Sequence, residues 1–160
     1  MSQGIAIIIM GGKSDLDHAK KIAENLEKFE IESVMRIASA HKTPARLLEM
    51  ISAYEGDGRP KVYITIAGLS NGLSGMVDGA VKNPVLSCPP LSDKFAGADI
   101  YSSIRMPPGI APAFVLDPAN AALCAAKILG LSDAGTARKV ELFQSEQRRA
   151  IAVDDGTIQR

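Results

Sequence analysis

The run Ile5-Ala-Ile-Ile-Ile-Met10, followed directly by Gly11-Gly-Lys-Ser-Asp15, decides the fold of this chain. A continuous apolar run of this length is typical of a parallel strand that is buried on both faces. The residues behind the glycines predict an amphipathic helix, because apolar side chains recur there at steps of three and four. These apolar positions are Leu16, Ala19, Ile22, Ala23 and Leu26.

The same alternation of strand and helix continues along the chain. Further strands are predicted at 31–37, 61–67, 84–88 and 113–116. Helices are predicted to begin at Thr43-Pro44, with the threonine hydroxyl as N-cap, and at Asp117-Pro118. The inner face of the helix after Thr43 is expected to carry Leu47, Leu48, Ile51 and Tyr54. Because parallel strands need crossover connections, this order predicts an α/β three-layer sandwich with a central parallel five-stranded sheet.

The last part of the chain predicts a long C-terminal helix. It is expected to begin at Asp133, to end near Ala152 and to fray at Asp154-Asp-Gly-Thr. The whole chain, residues 1–160, is expected to form one domain, with its core at about 5–131 and a helical extension at about 133–152. The apolar surplus on the helix at 118–130 and on the C-terminal helix predicts self-association.

Composition excludes several functional classes. The chain has 160 residues, 46% of them hydrophobic, and carries 18 Lys and Arg against 18 Asp and Glu. Zero net charge argues against bulk capture of nucleic acid or of a membrane surface. There is no apolar stretch of membrane-spanning length, and the start Met-Ser-Gln-Gly lacks the basic flank of a signal peptide. We therefore expect a cytoplasmic protein.

The histidines and cysteines restrict the chemistry further. His18 and His41 are too few for a site of three imidazoles, and Cys88 and Cys124 form neither a zinc knuckle nor a CxxC pair. We therefore expect reduced thiols, no metal and no cofactor. His18 is expected on a solvated helix face. Cys88 is expected to be a small core residue, because His41 is its only expected base and Pro89-Pro90 offers no N–H group to a thiolate.

Four loops follow the strands at the carboxyl edge of the predicted sheet, where ligands bind in such folds. They span 11–15, 38–42, 68–75 and 88–97. In the first loop, free N–H groups at a helix start suit an anion, although the glycine that a P-loop needs five positions before Gly12 is Ile7. A tight turn in which Ser14 or Asp15 caps the helix explains this loop equally well.

The second and third loops carry the candidate chemistry. His41 and Lys42 stand side by side, offering an imidazole for proton transfer and an ammonium for a phosphate. Gly68-Leu-Ser-Asn-Gly-Leu-Ser-Gly75 has small residues and exposed amides that suit a loop wrapped around a polar ligand. His41 is the candidate catalytic residue. The candidate ligand-binding residues are Gly11, Gly12, Ser14, Asp15, Ser39, Ala40, Lys42, Gly68, Ser70, Asn71, Gly72, Leu73 and Ser74.

Together these loops resemble the aminoimidazole ribonucleotide carboxylase family of purine biosynthesis. The motifs that carry the resemblance are Met10-Gly-Gly-Lys-Ser-Asp15, Ser39-Ala-His-Lys-Thr43, Met106-Pro-Pro-Gly109 and Asn120-Ala-Ala-Leu123. They occur in the family's order over residues 5 to 131. One departure is Gly12, where the family usually has a serine, so one hydroxyl near the phosphate is lost.

The resemblance implies a flavodoxin- or Rossmann-like fold, a homo-tetramer or homo-octamer, and one of two reactions. The mutase branch carries G-A-A-H-L-P-G in the third loop, whereas this chain has Gly72 in place of the histidine and Ser74 in place of the proline. The chain is thus more similar to the branch that carboxylates 5-aminoimidazole ribonucleotide at C4 with CO2, without ATP, metal or biotin. The segments Ser87-Cys-Pro-Pro90 and Asp99-Ile-Tyr-Ser-Ser-Ile-Arg105 also resemble that branch.

Two alternatives remain open from the sequence. One is the mutase, which converts N5-carboxyaminoimidazole ribonucleotide to the same product. The other is a non-catalytic nucleotide-binding module of flavodoxin-like architecture. Such a module accounts for the sheet and the first loop, but gives no reason for Ser39-Ala-His-Lys42 at the same edge.

Overall fold

The computed structural model describes residues 4–159, and its first strand pairs with a neighbouring strand on each side. The strands are β1 (Ile5–Met10), β2 (Glu32–Ile37), β3 (Lys61–Ile66), β4 (Val85–Ser87) and β5 (Ala113–Phe114). The helices are α1 (Leu16–Glu27), α2 (Pro44–Glu55), α3 (Gly72–Asp78), α4 (Tyr101–Ile104), α5 (Pro118–Gly130) and α6 (Ala134–Ile158). Short 3-10 segments cover Lys13–Asp15 and Lys94–Ile100.

The five strands are all parallel and lie in the order β2-β1-β3-β4-β5. Each observed strand lies within its predicted segment. The chain passes from β1 to β2 on one side and then returns to place β3 on the other side of β1. Met10 is in register with both Ile37 and Ile66, so the carboxyl ends of these three strands meet at one edge. The predicted parallel α/β sandwich is confirmed.

Alternate residues of β1 enter two separate cores, one on each face of the sheet. Ile8 packs with α1 and α5, whereas Ile7 packs with α2 and α3. All residues of β1 and β3 are buried. Burial on both faces explains why β1 is a continuous apolar run rather than an alternating one.

Four alanines of α5 pack inside the chain. The expectation that this helix has apolar surface left over for another subunit is therefore wrong for these residues. Ala121, Ala122, Ala125 and Ala126 are fully buried against α1 and the sheet. Small side chains allow two helices to approach closely, so this stripe is used within the monomer. The helix α6, in contrast, carries exposed apolar side chains at Leu142, Ile151, Val153 and Ile158.

The long C-terminal helix is confirmed, but its predicted end is wrong. The helix α6 continues through Asp154 and Gly156 to Ile158. A glycine weakens a helix by about 1 kcal/mol, yet extending an existing helix gains one hydrogen bond per residue. The first turns are anchored by an edge-to-face contact between Phe143 and Phe29, with ring centroids 5.4 Å apart. The later turns therefore propagate from a packed base.

Two details of α2 also differ from the expectation. Leu48 is 45% exposed, and Met50 takes the buried position beside Leu47 and Ile51. The Thr43 hydroxyl does not cap the helix; it accepts a hydrogen bond from the Ser39 N–H at 3.0 Å and donates to the Ser39 carbonyl at 3.2 Å. The hydroxyl therefore closes the preceding turn, and Pro44 begins the helix without a side-chain cap.

Within residues 4–159 no helix is long and apolar enough to cross a membrane. In the same range, no three His, Cys, Asp or Glu side chains group in a way that could hold a metal ion. Residues 1–3, on which the expectation about a signal peptide rests, lie outside the described part of the chain.

Candidate active site

A cavity opens at the carboxyl ends of β1 and β3, where the chain reverses its direction across the sheet. Hydrogen bonds continue the ladder just past the strands: Gly11 N–H donates to Ile66 O at 2.9 Å and Ala38 N–H donates to Met10 O at 3.0 Å. These bonds bring the three following loops to one edge. Reversal points of this kind are where open parallel sheets bind their ligands.

The cavity has a volume of about 470 Å³ and draws its wall from all four predicted loops. Most predicted site residues line it, namely Gly11, Gly12, Ser14, Asp15, Ser39, Ala40, His41, Lys42, Gly68, Ser70 and Leu73. Three predicted site residues, Asn71, Gly72 and Ser74, do not line it.

The first loop forms a turn closed by its own carboxylate. Asp15 Oδ2 accepts a hydrogen bond from Gly12 N–H at 3.2 Å, and Ser14 Oγ donates to Asp15 Oδ1 at 3.4 Å. The Asp15 side chain makes no capping bond to α1. The predicted helix cap is therefore wrong in detail, because the carboxylate folds back onto the loop and remains on the cavity wall.

The turn at Ser39–Thr43 presents His41 to the cavity. Thr43 N–H donates to Ser39 O at 2.9 Å, and Lys42 N–H donates to Ser39 Oγ at 3.2 Å. These bonds hold both ends of the turn, and His41 and Lys42 at its tip line the cavity. His41 and Lys42 are both exposed, and within residues 4–159 Lys42 has no carboxylate partner.

The His41 ring lies directly against Gly72, the first residue of α3. A Cβ placed on Gly72 would be 3.2 Å from both Cε1 and Nε2 of His41. Such a distance is tighter than most real Cβ contacts, so any side chain at this position would push the ring. Gly72 therefore acts on the site by leaving space for the imidazole rather than by lining the cavity.

The predicted glycine-rich loop ends earlier than expected, because α3 begins at Gly72. Asn71 is the N-cap, and its Oδ1 accepts from the Ser74 N–H at 3.1 Å. Asn is a preferred N-cap, so this start was visible in the sequence but was missed.

A buried network of uncharged side chains lies beneath the cavity. Asn71 Nδ2 donates to Ser74 Oγ at 2.8 Å and to Ser103 Oγ at 2.9 Å, while Ser74 Oγ lies 2.8 Å from Thr65 Oγ1 and 2.9 Å from Ser87 Oγ. All five side chains are buried. Asn71 and Ser74 thus tie the loop to β3, β4 and α4 from below.

Sequence reasoning missed several residues of the cavity wall. These are Ala67, Leu69, Pro90, Ser92, Lys94 and Asp99. The last four come from the irregular segment after β4, which follows the strand to the same edge of the sheet. Two signals in the sequence indicated this segment, namely its position after a strand and the resemblance of Ser87-Cys-Pro-Pro90 and Asp99-Ile-Tyr-Ser-Ser-Ile-Arg105 to one branch of the family.

His18 corrects a prediction: it is not a solvated residue. It is half-buried at the start of α1, with Nε2 3.4 Å from Cys88 Sγ. Burial lowers the pKa of His18 below its ordinary value. Burial also raises the pKa of the Cys88 thiol to about 12, aided by the nearby Asp117. Cys88 is confirmed as a buried core residue, but its neighbouring base is His18 rather than His41.

The contact between Gly72 and His41 yields a first prediction. In a Gly72→Ala variant, the added methyl group should displace the imidazole by a few tenths of an ångström. In a proton NMR spectrum we expect the ring resonances of His41 to move while those of His18 stay in place. Gly58→Ala is the matched control, because a Cβ there meets nothing within 4 Å. Unmoved His41 resonances would contradict the described packing.

The burial of His18 yields a second prediction, on stability against pH. The pKa of His18 is lower in the folded protein than in the unfolded chain, where it is about 6.5. Just below pH 6.5 the unfolded chain therefore binds more protons than the folded protein. The free energy of unfolding consequently falls as the pH drops below 6.5. The free energy of unfolding of a His18→Gln variant should depend less on pH between 7.5 and 5 than that of the wild type. Lys20→Gln, an exposed change on the same helix, should keep the wild-type dependence. Parallel curves for His18→Gln and wild type would refute this assignment.

Comparisons with known proteins agree with this fold. A model of the AIR carboxylase family matches residues 5–150. The chain is 53% identical to the phosphoribosylaminoimidazole carboxylase of Treponema denticola, covering 98% of each chain. It is 58% identical to the enzyme of that name from Archaeoglobus fulgidus, over 91% of this chain and 80% of the other.

The fold of this chain also matches that of a solved structure. The crystal structure of Treponema denticola PurE superposes with a TM-score of 0.97 at 52% sequence identity, covering 99% of this chain and all of the other. The family match, the identities and the superposition extend over nearly the whole sequence. The chain therefore belongs to the AIR carboxylase family.

Proposed function

We propose that this protein is an enzyme of purine biosynthesis that carboxylates 5-aminoimidazole ribonucleotide at C4 with CO2. The observation that carries the proposal is that a single imidazole, that of His41, lines the cavity. The other histidine, His18, pairs with Cys88 and is not part of the cavity wall. The relatives described above carry the name of this activity.

The chemistry requires one proton to be moved. The aminoimidazole ring is an electron-rich enamine, so C4 attacks the carbon of CO2 and a C–C bond forms. C4 then loses its hydrogen as a proton, which His41 accepts and passes to solvent through its exposed ring. Proton transfer by a positioned side chain contributes about 10²- to 10⁴-fold to a rate. No ATP, metal or biotin is needed, because CO2 is already electrophilic.

The substrate is proposed to enter with its phosphate at the first loop. The ammonium of Lys42 and the hydroxyl of Ser14 form the anion site. The N–H groups of Gly11 and Gly12 already donate to Ile66 O and Asp15 Oδ2, so the two glycines contribute close approach of the backbone rather than donors. Asp15 accepts from a ribose hydroxyl. The ring lies between the turn that carries Ser39 and Ala40 and the loop that carries Gly68, Ser70 and Leu73.

The close packing of His41 on Gly72 favours the CO2-using reaction over the mutase. The mutase branch, as the resemblance implies, has a histidine at this position. Here even a Cβ at position 72 would meet the imidazole at 3.2 Å. The arrangement therefore suits one ring rather than two, and the proton moves through His41 alone.

The decisive experiment supplies the purified protein with two substrates in separate reactions. One contains aminoimidazole ribonucleotide with bicarbonate, and the other contains N5-carboxyaminoimidazole ribonucleotide without ATP. Formation of 4-carboxy-5-aminoimidazole ribonucleotide in the first reaction supports the proposal. Product in the second reaction alone identifies a mutase, and binding without product in either identifies a non-catalytic module.

A His41→Asn variant is expected to lose turnover by at least about 10²-fold, because the proton acceptor is removed. The fold should persist, since His41 is exposed and packs on Gly72 alone among the contacts described for its ring. Circular dichroism and kcat measured on the same sample test both statements. Near-wild-type turnover would eliminate His41 as the proton acceptor.

A Lys42→Ala variant is expected to raise KM by about tenfold and to leave kcat close to that of the wild type. The reason is that a charge-assisted contact to a phosphate contributes about 1.5–3 kcal/mol, and this contact stays the same during reaction. Lys127→Ala, an exposed change in the last turn of α5, is the matched control. An unchanged KM in Lys42→Ala argues against the anion site.

We further propose that residues 1–160 act as one carboxylase domain in the cytoplasm and self-associate into a homo-tetramer or homo-octamer. The exposed apolar side chains of α6, among them Ile151 at 70% and Val153 at 60%, support self-association. Neither nucleic acid nor a membrane is proposed as a partner. Sedimentation measurements distinguish monomer, tetramer and octamer.

A further inference from the structure

The peptide groups of Leu69 are held on both sides by one distant segment. Leu69 N–H donates to Asp99 Oδ2 at 3.1 Å, and Leu69 O accepts from Ser102 Oγ at 2.8 Å. Leu69 has φ of 57°, in the left-handed region that residues with a Cβ rarely adopt. Two tertiary hydrogen bonds therefore maintain a backbone conformation that the residue does not favour on its own.

Asp99 and Ser102 also hold the rest of the loop that contains Leu69. Asn71 N–H donates to Ser102 Oγ at 3.0 Å, and Ser102 Oγ lies 2.7 Å from Asp99 O. We call Asp99 and Ser102 the clasp. The loop it holds, residues 68–71, follows β3 and supplies Gly68, Leu69 and Ser70 to the cavity wall.

We propose that the clasp positions residues 68–71 as a wall of the active site, so that Asp99 and Ser102 are positioning residues for the reaction. The inference rests on the proposed function, in which this wall contacts the substrate. Asp99 lines the cavity as well, yet its Oδ2 is engaged by Leu69 N–H. Its role needs a hydrogen-bond acceptor at that place rather than a negative charge.

Removal of the clasp has a defined consequence. Without the acceptor on Asp99, one of the two hydrogen bonds that oppose the return of Leu69 to a negative φ is lost, and a residue with a Cβ prefers that negative φ. The peptide between Gly68 and Leu69 would then turn, and the wall would no longer match the substrate. Because a wall contacts the substrate before and during reaction, the loss should appear in KM rather than in kcat.

The test compares four variants in steady-state kinetics, with 5-aminoimidazole ribonucleotide as the varied substrate. Asp99→Ala and Ser102→Ala should each raise KM by about tenfold with kcat within about threefold of the wild type. Asp99→Asn keeps an oxygen acceptor for Leu69 N–H and should retain a KM close to the wild type. Asp93→Ala is the matched control, because Asp93 is an exposed carboxylate of the same segment outside the cavity wall.

The pattern separates positioning from simple loss of folded protein, which lowers kcat and leaves KM unchanged. Unchanged KM in Asp99→Ala and Ser102→Ala would overturn the proposal. A KM in Asp99→Asn as high as in Asp99→Ala would overturn it too, since that result assigns the effect to charge.

Amide hydrogen exchange supplies a measurement that does not depend on activity. Exchange at Leu69 N–H should be about tenfold faster in Asp99→Ala than in the wild type and nearly unchanged in Asp99→Asn. Equal exchange in Asp99→Ala and wild type would overturn the clasp. If the wild type shows no turnover, the proposed function fails, and hydrogen exchange still decides whether the clasp holds the loop.

Discussion

The parallel pairing of β1 with both β2 and β3 is the constraint on which the rest of the molecule depends. β1 is buried on both faces, so its backbone N–H and C=O groups have no access to water and must pair with the neighbouring strands. A shift of one residue would move Ile7 and Ile8 into each other's cores. The register therefore brings the ends of three strands to one line, and the cavity lies along that line.

Much of this architecture was predictable because its signals are local. Continuous apolar runs, helical spacing and Pro after Thr or Asp each depend on residues close in sequence. The errors arose where tertiary context outweighed local signals. Asp154 and Gly156 suggested fraying, but α6 extends from a base packed on Phe29. The glycines of the third loop suggested an irregular segment, although Asn71 caps a helix within it.

The site residues also fall into those that local signals predict and those that tertiary contacts decide. His41, Lys42 and the first loop were predictable from their position after strands. The pairing of His18 with Cys88 joins residues 70 positions apart, and no spacing rule indicates it. Asn71 and Ser74 are polar residues of a loop that suits a ligand, but polarity alone does not distinguish a side chain that contacts a ligand from one that holds a loop. The difference is decided by β4 and α4, which arrive later in the chain and bury both residues.

The uncharged network beneath the cavity has a consequence for how ionic strength affects the site. Thr65, Asn71, Ser74, Ser87 and Ser103 carry no charge to lose or gain, and within residues 4–159 no buried side-chain nitrogen or oxygen lacks a partner. The charged groups of the cavity therefore lie in its wall, as the carboxylates of Asp15 and Asp99 and the ammonium groups of Lys42 and Lys94, both of which are exposed to water. Exposed charges are screened over about 8 Å at physiological ionic strength. Added salt thus weakens the attraction for an anion at the rim while the hydrogen bonds of the floor stay intact.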